Sequence, residues 1–336
     1  MAIQRKNNFD FLRVSLAIFV AFYHLVILTQ STYIFDYISY HIAEFAVDSF
    51  FVISGFLIFM SYEHSHSLWH YYSKRAKRIL PGYISVILIS SVLLYFFSIK
   101  VNFFDYFNLD YIKYLLANLS TLNFLHPTLP GLFENHFTSA VNGALWTIKV
   151  EIIFYLSLPF LVYVIKKFKI ALSLCILYIF SILYVYLMLY LYHKSGSDIY
   201  LTLEKQFPGQ LAFFIAGAVL HYYYSLFLKY KTLLFIGVII TLYLHFNIIS
   251  LYFFYPISLA VFIIYIANIF PFLGNFSKYG DFSFGIYIWH FPIIQTLISL
   301  HLFDEPIIGI LLFVLLTCIA GFCSWHCVEK RFLYQQ

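Results

Sequence analysis

Ten apolar runs, near residues 9–29, 44–62, 79–99, 146–166, 168–192, 206–226, 231–249, 251–269, 282–300 and 305–328, are each long enough to cross a hydrocarbon layer of about 30 Å. Inside such a layer the backbone must satisfy its own hydrogen bonds, which for segments of this length means helices. Hydrophobic residues make up 62% of the chain, charged residues only 10%, and the mean hydropathy is +0.86, far from the balance of soluble domains. The expected architecture is an all-α integral membrane protein of about ten transmembrane helices. Residues 1–336 are expected to form a single membrane domain, because no polar stretch is long enough to build a separate soluble core.

The net charge of +5 does not imply a nucleic-acid partner, because Lys and Arg fall in short clusters between the apolar runs. With the amino terminus in the cytoplasm, the inner side receives fourteen cations: Arg5, Lys6, Lys74, Arg75, Lys77, Arg78, Lys166, Lys167, Lys169, Lys229, Lys231, Lys278, Lys330 and Arg331. The outer side receives four, Lys100, Lys113, Lys194 and Lys205. This asymmetry predicts that both termini are cytoplasmic. The first run lacks a small-residue cleavage pattern and is read as a retained span, not a signal peptide. Of the four cysteines, Cys175 and Cys318 sit in apolar runs and Cys323 and Cys327 share a face in the last one, so no disulfide framework is expected. Cys323, His326 and Cys327 lack metal-ligand spacing and read as packing residues, and no metal is expected. The aromatic segment 100–145, with its Pro/Gly-punctuated stretch at 126–137, predicts short amphipathic helices on the outer surface.

Polar residues inside the runs are the candidates for chemistry. Arg13 and His24 are eleven residues apart, close to three helical turns, so one face carries both, about 16 Å apart. A guanidinium within a spanning helix costs at least about 2.5 kcal/mol and is tolerated where an anion, water or the bundle interior receives it. Glu44 and Asp48 lie one turn apart at the outer entrance of the second run, and Glu151 near that of the fourth, which places Asp48, Glu151 and His24 in one layer. A neutral imidazole beside a carboxylate suits general-base chemistry, and the plainer alternative is a polar cluster that only ties helices together. The basic segment 74–83 puts Arg75 and Arg78 on one face if its helix begins early, with Pro81 suited to a first turn. Alone it is a positive-inside anchor for anionic lipid, and with Arg13 it makes a basic mouth for a phosphate-bearing ligand. Glu151 and Tyr155 share a face, as do Tyr287 and His290 near mid-bilayer.

Five segments occur together and in order: Arg13 and His24 separated by ten residues, VDSFFVISGF (47–56, including Ser54), RAKRILP (75–81), WTIKVEIIFY (146–155) and YIWHFP (287–292). In this arrangement the chain resembles the membrane acyltransferase-3 family, whose bacterial members O-acetylate O-antigens, capsules, exopolysaccharides and peptidoglycan. The resemblance implies a ten-helix acyltransferase domain in the bacterial inner membrane, with cytosolic acyl-CoA, usually acetyl-CoA, as donor. It also implies a saccharide hydroxyl at the outer face as acceptor, free or lipid-linked. By the same resemblance His24 is the catalytic residue, partnered by Glu151 or Asp48, and Arg13, Arg75 and Arg78 contact the CoA phosphates. Arg331 stands in the closing CVEKRF where many relatives have a proline, which implies only a different helix exit. No C-terminal esterase-like domain of the kind some relatives carry follows, so this domain is expected to recognise its acceptor alone or with partners. The alternatives are a polytopic saccharide or lipid-precursor transporter or flippase, or the same fold with a succinyl group or a small-molecule acceptor. Oligomeric state is left open.

Overall fold

The computed structural model of the protein describes residues 6–30, 40–100 and 102–333. Arg5 of the amino-terminal basic cluster lies outside the described residues. The longer helices are α1 (Phe9–Thr29), α2 (Tyr40–Glu63), α3 (Leu68–Leu93), α4 (Leu109–Leu119), α5 (Trp146–Lys167), α6 (Ile170–Ser195), α7 (Phe207–Tyr222), α8 (Tyr224–Asn247), α9 (Tyr255–Asn268), α10 (Ser283–Ser299) and α11 (Pro306–Cys323). A π-helical stretch, Ser324–Glu329, and a last turn, Lys330–Leu333, continue α11. There is no strand among the described residues.

Among the described residues, seven helical segments are long and apolar enough to cross a membrane: Phe9–Thr29, His41–Glu63, Leu68–Phe97, Gly143–Lys167, Ile170–Ser195, Tyr224–Asn247 and Pro306–Leu333. The protein is therefore an integral membrane protein. The runs expected near 206–226, 251–269 and 282–300 fold as the shorter helices α7, α9 and α10, of 16, 14 and 17 residues. At 1.5 Å per residue, α9 is about 21 Å long, short of a full crossing. Local chemistry sets these limits: α7 and α9 open with a proline in the first turn, and the chain leaves α10 at His301, whose φ is +55°.

The chain forms two compact units. Of the described residues, the first comprises those within 6–12, 44–72 and 150–274, and the second those within 13–30, 40–43, 73–100, 102–149 and 275–333. In the first unit α7 is the centre, with Ala212, Phe214, Ala216 and Ala218 fully buried, so its neighbours shield it from lipid. Asn8, buried at the entry to α1, fastens that entry to the end of α9. Its amide donates to the carbonyls of Ile266, Phe270 and Pro271, and its Oδ1 accepts from the amide of Leu273 at 2.9 Å.

Gly55 is the residue that lets α2 lie against α7. A Cβ there would stand 2.0 Å from the carbonyl oxygen of Phe214, and one at Gly217 would stand 2.3 Å from that of Val52. Neither carbonyl can move without breaking its helix, so small residues at both positions set the crossing distance. Gly55→Ala is expected to cost about 2–3 kcal/mol by overpacking. The readout is thermal unfolding of the purified protein in detergent, and an unchanged midpoint would contradict the close crossing.

In the second unit α1, α10 and α11 share a core of Ala21, Leu25, Leu28, Phe291, Ile294, Leu297 and Phe313. Helix α3 begins at Leu68, eleven residues before the expected start, because Ser67 caps it. The amide of His70 donates to Ser67 Oγ at 3.1 Å and that of Tyr71 to Ser67 O at 3.1 Å. The basic cluster 74–78 is thus helical, and Pro81 lies inside the helix and not in its first turn. Segment 100–145 is helical only in part. Asn108 Oδ1 caps α4, which turns Tyr114, Ala117 and Asn118 inward and Leu109, Ile112 and Leu116 outward. Residues 120–142 run as turns, with Gly131 at φ +67° and Phe133 at +57°. The cysteines are free and exposed, so Cys323 and Cys327 face outward from α11 instead of packing.

Candidate active site

The basic residues of the second unit converge on one carboxylate. Asp281 precedes α10, and its Oδ2 accepts from Arg78 Nη2 at 2.5 Å and lies 3.5 Å from Arg13 Nη1. Its Oδ1 accepts from the hydroxyl and amide of Ser283, at 2.5 and 3.3 Å. The side chains of Arg13, Arg78 and Asp281 are 27%, 23% and 12% exposed, a partly buried cluster with a net positive charge. Arg75 lies one turn before Arg78 on α3 and is also half-buried. Gly280 makes the approach to Asp281 possible. Its φ is +140°, and a Cβ there would come within 2.3 Å of the Trp325 indole in the π-helical stretch. That stretch also turns in Glu329, fully buried, which accepts from the Ser324 hydroxyl at 2.7 Å. π-Helical turns are enriched at functional sites.

Burial pushes the Asp281 carboxyl up, but the Arg78 and Arg13 guanidinium groups, with the Ser283 hydroxyl, more than offset this and hold it below the ordinary aspartate value. A depressed carboxylate stabilises the fold at pH values above the ordinary one, and the contribution is lost as pH falls through the depressed one. Asp281→Asn is therefore expected to shrink the loss of thermal stability between about pH 5 and about pH 3. If the variant and the parent lose stability in parallel over that window, the ion-pair cluster is not what the carboxylate senses.

Eleven residues along α1 from Arg13, His24 Nδ1 lies 2.9 Å from His290 Nε2, with the two rings stacked at 5.0 Å. His290 is fully buried on α10, and its Nδ1 lies 3.3 Å from the carbonyl oxygen of Ile286. A carbonyl only accepts, so the network assigns the His290 proton to Nδ1. The neutral ring then accepts at Nε2, and His24 Nδ1 donates. His24 Nε2 is left with its lone pair. Tyr287 lies one turn before His290, with ring centroids 5.8 Å apart, and its hydroxyl exchanges a hydrogen bond of 2.7 Å with Thr147 on α5. Asn142 Nδ2 donates to Ile288 O at 2.8 Å, which pins the approach to α5 against α10.

The other expected site residues belong to the first unit. Glu151 Oε1 accepts from Ser54 Oγ at 3.2 Å and from the Tyr155 hydroxyl. Asp48 is 8% exposed on α2, six residues before Ser54. The structure thus gives His24 a histidine as its hydrogen-bond partner, and gives Glu151 a serine and a tyrosine. Sequence reasoning missed Asp281, Thr147 and Ser283. Asp281 carried a signal all the same: it is the only carboxylate residue between Glu204 and Asp304.

No solved structure matches the chain. Nodulation protein 10 of Rhizobium leguminosarum bv. viciae is 31% identical over 182 residues, 51% of this chain and 48% of that protein, so the match spans about half of that relative's length. The O-acetyl transferase of Shigella phage Sf6 is 26% identical over 351 aligned positions, 98% of this chain and 97% of the relative. Residues 6–326 match the acyltransferase domain family. With nearly the whole chain matched, the protein belongs to the acyltransferase-3 family of membrane acyltransferases.

Proposed function

We propose that the protein is an O-acetyltransferase of the bacterial inner membrane that moves an acetyl group from cytosolic acetyl-CoA to a hydroxyl of a cell-surface saccharide at the outer face. O-antigen, capsule and exopolysaccharide, lipid-linked or free, are the acceptors the reading allows. The observation that carries it is the His24 Nδ1 to His290 Nε2 hydrogen bond. It leaves His24 Nε2 as a free base about three helical turns from a cluster of guanidinium groups. In this reading Arg13, Arg75 and Arg78 receive the CoA phosphates, since a guanidinium fork matches phosphate oxygens. Asp281 keeps Arg13 and Arg78 aligned when no donor is bound. The pantetheine arm then runs along α1 until its thioester meets the imidazole.

The chemical step balances on His24 alone. Its Nε2 takes the proton of the acceptor hydroxyl while that oxygen attacks the thioester carbonyl carbon. The tetrahedral adduct collapses, the carbon–sulfur bond breaks, and the imidazolium returns the proton to the CoA thiolate. The orienting role expected of Glu151 or Asp48 passes to His290, which fixes the His24 tautomer through an accepting nitrogen. Both termini and the basic cluster are on the cytoplasmic side in this reading.

His290→Gln keeps an acceptor for His24 Nδ1, and His290→Phe removes it while filling the space. Transfer by the Phe variant is expected to fall about a hundredfold further than transfer by the Gln variant, with a shifted pH–rate profile. Equal losses in the two variants would mean that the ring only packs. The function itself is tested by NMR of the surface polysaccharide from cells with and without the protein. An acetyl signal that depends on the protein supports transfer, whereas identical spectra in the two strains would remove the reading.

A further inference from the structure

At the end of α10 away from Asp281, three side chains of the second unit are joined in a line. Gln295 is fully buried, and its Nε2 donates to the carbonyls of Thr138 and Ala140, both at 2.8 Å. Two carbonyl acceptors fix which way the amide points, so Gln295 Oε1, which only accepts, is the atom 2.8 Å from His136 Nδ1. His136 Nδ1 therefore carries the ring proton, and Nε2 is left with its lone pair 3.3 Å from the hydroxyl oxygen of Ser299, the last residue of α10. The Phe133 ring, stacked on the imidazole at 4.9 Å, holds its plane. Ser299 Oγ also lies 3.2 Å from the Gln295 carbonyl oxygen, and its hydroxyl hydrogen rotates between the two acceptors. His136 and Ser299 are only half-buried, so the line runs from a buried anchor to a half-open end.

A hydroxyl beside the lone pair of an imidazole whose other nitrogen is held by a third group is the arrangement that activates a serine as a nucleophile, and a neutral amide serves as the third group in some sites of this kind. We propose that Ser299, His136 and Gln295 form a second acyl-accepting site, at the far end of α10 from the arginine cluster, that takes the acyl group of a short-chain ester as an acyl-serine. Ser299 is the nucleophile, His136 its base and Gln295 a positioning residue. As Ser299 Oγ attacks the ester carbonyl carbon, His136 Nε2 takes the hydroxyl proton. The tetrahedral adduct then collapses, the bond from carbon to the leaving oxygen breaks, and the imidazolium gives its proton to the departing alcohol. The acyl group stays as an ester on Ser299, and water releases it as the carboxylic acid by the same two proton transfers. In the transferase reading this end of α10 is the outer one, where an acylated saccharide is the ester at hand, but the chemistry at Ser299 does not rest on that reading.

The test is covalent labelling of the full chain in phosphatidylcholine nanodiscs, with a fluorophosphonate, which reacts with activated hydroxyls, and separately with para-nitrophenyl acetate. Mass spectrometry of the digested chain is expected to find the phosphonyl group on Ser299 well before the exposed Ser195 and Ser197, and an acetyl group on Ser299 after brief ester treatment and acid quenching. Ser299→Ala is expected to remove both adducts. His136→Phe keeps a ring against Phe133 without the base, and is expected to slow phosphonylation of Ser299 by about a hundredfold while the unfolding temperature stays within a few degrees. Phosphonylation of Ser299 no faster than that of Ser195 and Ser197 overturns the proposal, and this arm needs no variant. Equal rates in the parent and a folded His136→Phe protein overturn it as well, since the three side chains would then be a clasp that only holds residues 136–140 on α10. No transfer from acetyl-CoA is read, so failure here leaves the transferase reading standing, and failure of that reading would show only in the polysaccharide spectra.

Discussion

His24→Ala is expected to lower acyl transfer by about a hundred- to ten-thousandfold, because positioned proton transfer contributes about 10²–10⁴-fold and His290, the base hydrogen bonded to His24, is fully buried on α10. The same loss follows if His24 carries the acyl group covalently, so the variant tests the residue, whichever of the two routes applies. Alanine is a good helix residue, and α1 keeps its core contacts through Ala21, Leu25 and Leu28. The cost to folding comes from His290, which is fully buried and loses the partner of its Nε2, about 1–3 kcal/mol. The variant is therefore expected to insert and unfold cooperatively at a reduced temperature, with transfer from labelled acetyl-CoA at background. Transfer at the parent level by a folded His24→Ala protein would refute the assignment. Acyl label recovered on His24 after rapid quenching with donor alone would identify the covalent route.

Arg78→Ala is expected to raise the KM for acetyl-CoA by about ten- to a hundredfold, the value of one or two charge-assisted hydrogen bonds to phosphate, with a smaller effect on kcat. Arg78 makes the shorter of the two guanidinium contacts to Asp281, so its removal leaves that partly buried carboxylate with Arg13, at 3.5 Å, and the Ser283 donors. Some loss of stability accompanies the kinetic effect, and a control must separate them. Acetyl-pantetheine carries the thioester without the nucleotide phosphates. The Arg78 variant should use it as well as the parent does if the guanidinium recognises phosphate, whereas a structural defect would depress transfer from both donors alike. A KM for acetyl-CoA unchanged by the substitution would detach the arginine cluster from the donor.

The legible parts of the site were those set by position along one helix. Arg13 and His24 share a face because eleven residues are close to three turns, and Arg75 and Arg78 do so because α3 starts early enough to include them. The early start itself was hidden, since residues 68–78 are polar and aromatic and carry no spanning signal, while the Ser67 cap that starts the helix is a single residue. Three apolar runs suggested full crossings and fold as shorter helices, because hydropathy reports burial without telling protein from lipid. The partner of His24 was not legible. His24 and His290 are 266 residues apart, and their meeting is decided by how Ala21, Leu25 and Leu28 pack on Phe291, Ile294 and Leu297. Asp281 lies just before its helix and outside the apolar run, so it carries no intramembrane-charge signal, and its isolation in the sequence is its one mark.

The most direct measurement uses sealed membrane vesicles of both orientations from cells that make the protein and its acceptor. Radiolabelled acetyl-CoA is supplied from outside, and label is read in saccharide. Inverted vesicles, whose cytoplasmic face meets the donor, should label saccharide enclosed in their lumen, and right-side-out vesicles should not; His24→Ala should abolish the signal. Labelling that requires the donor on the outer face, or that persists at full level without His24, would contradict the account.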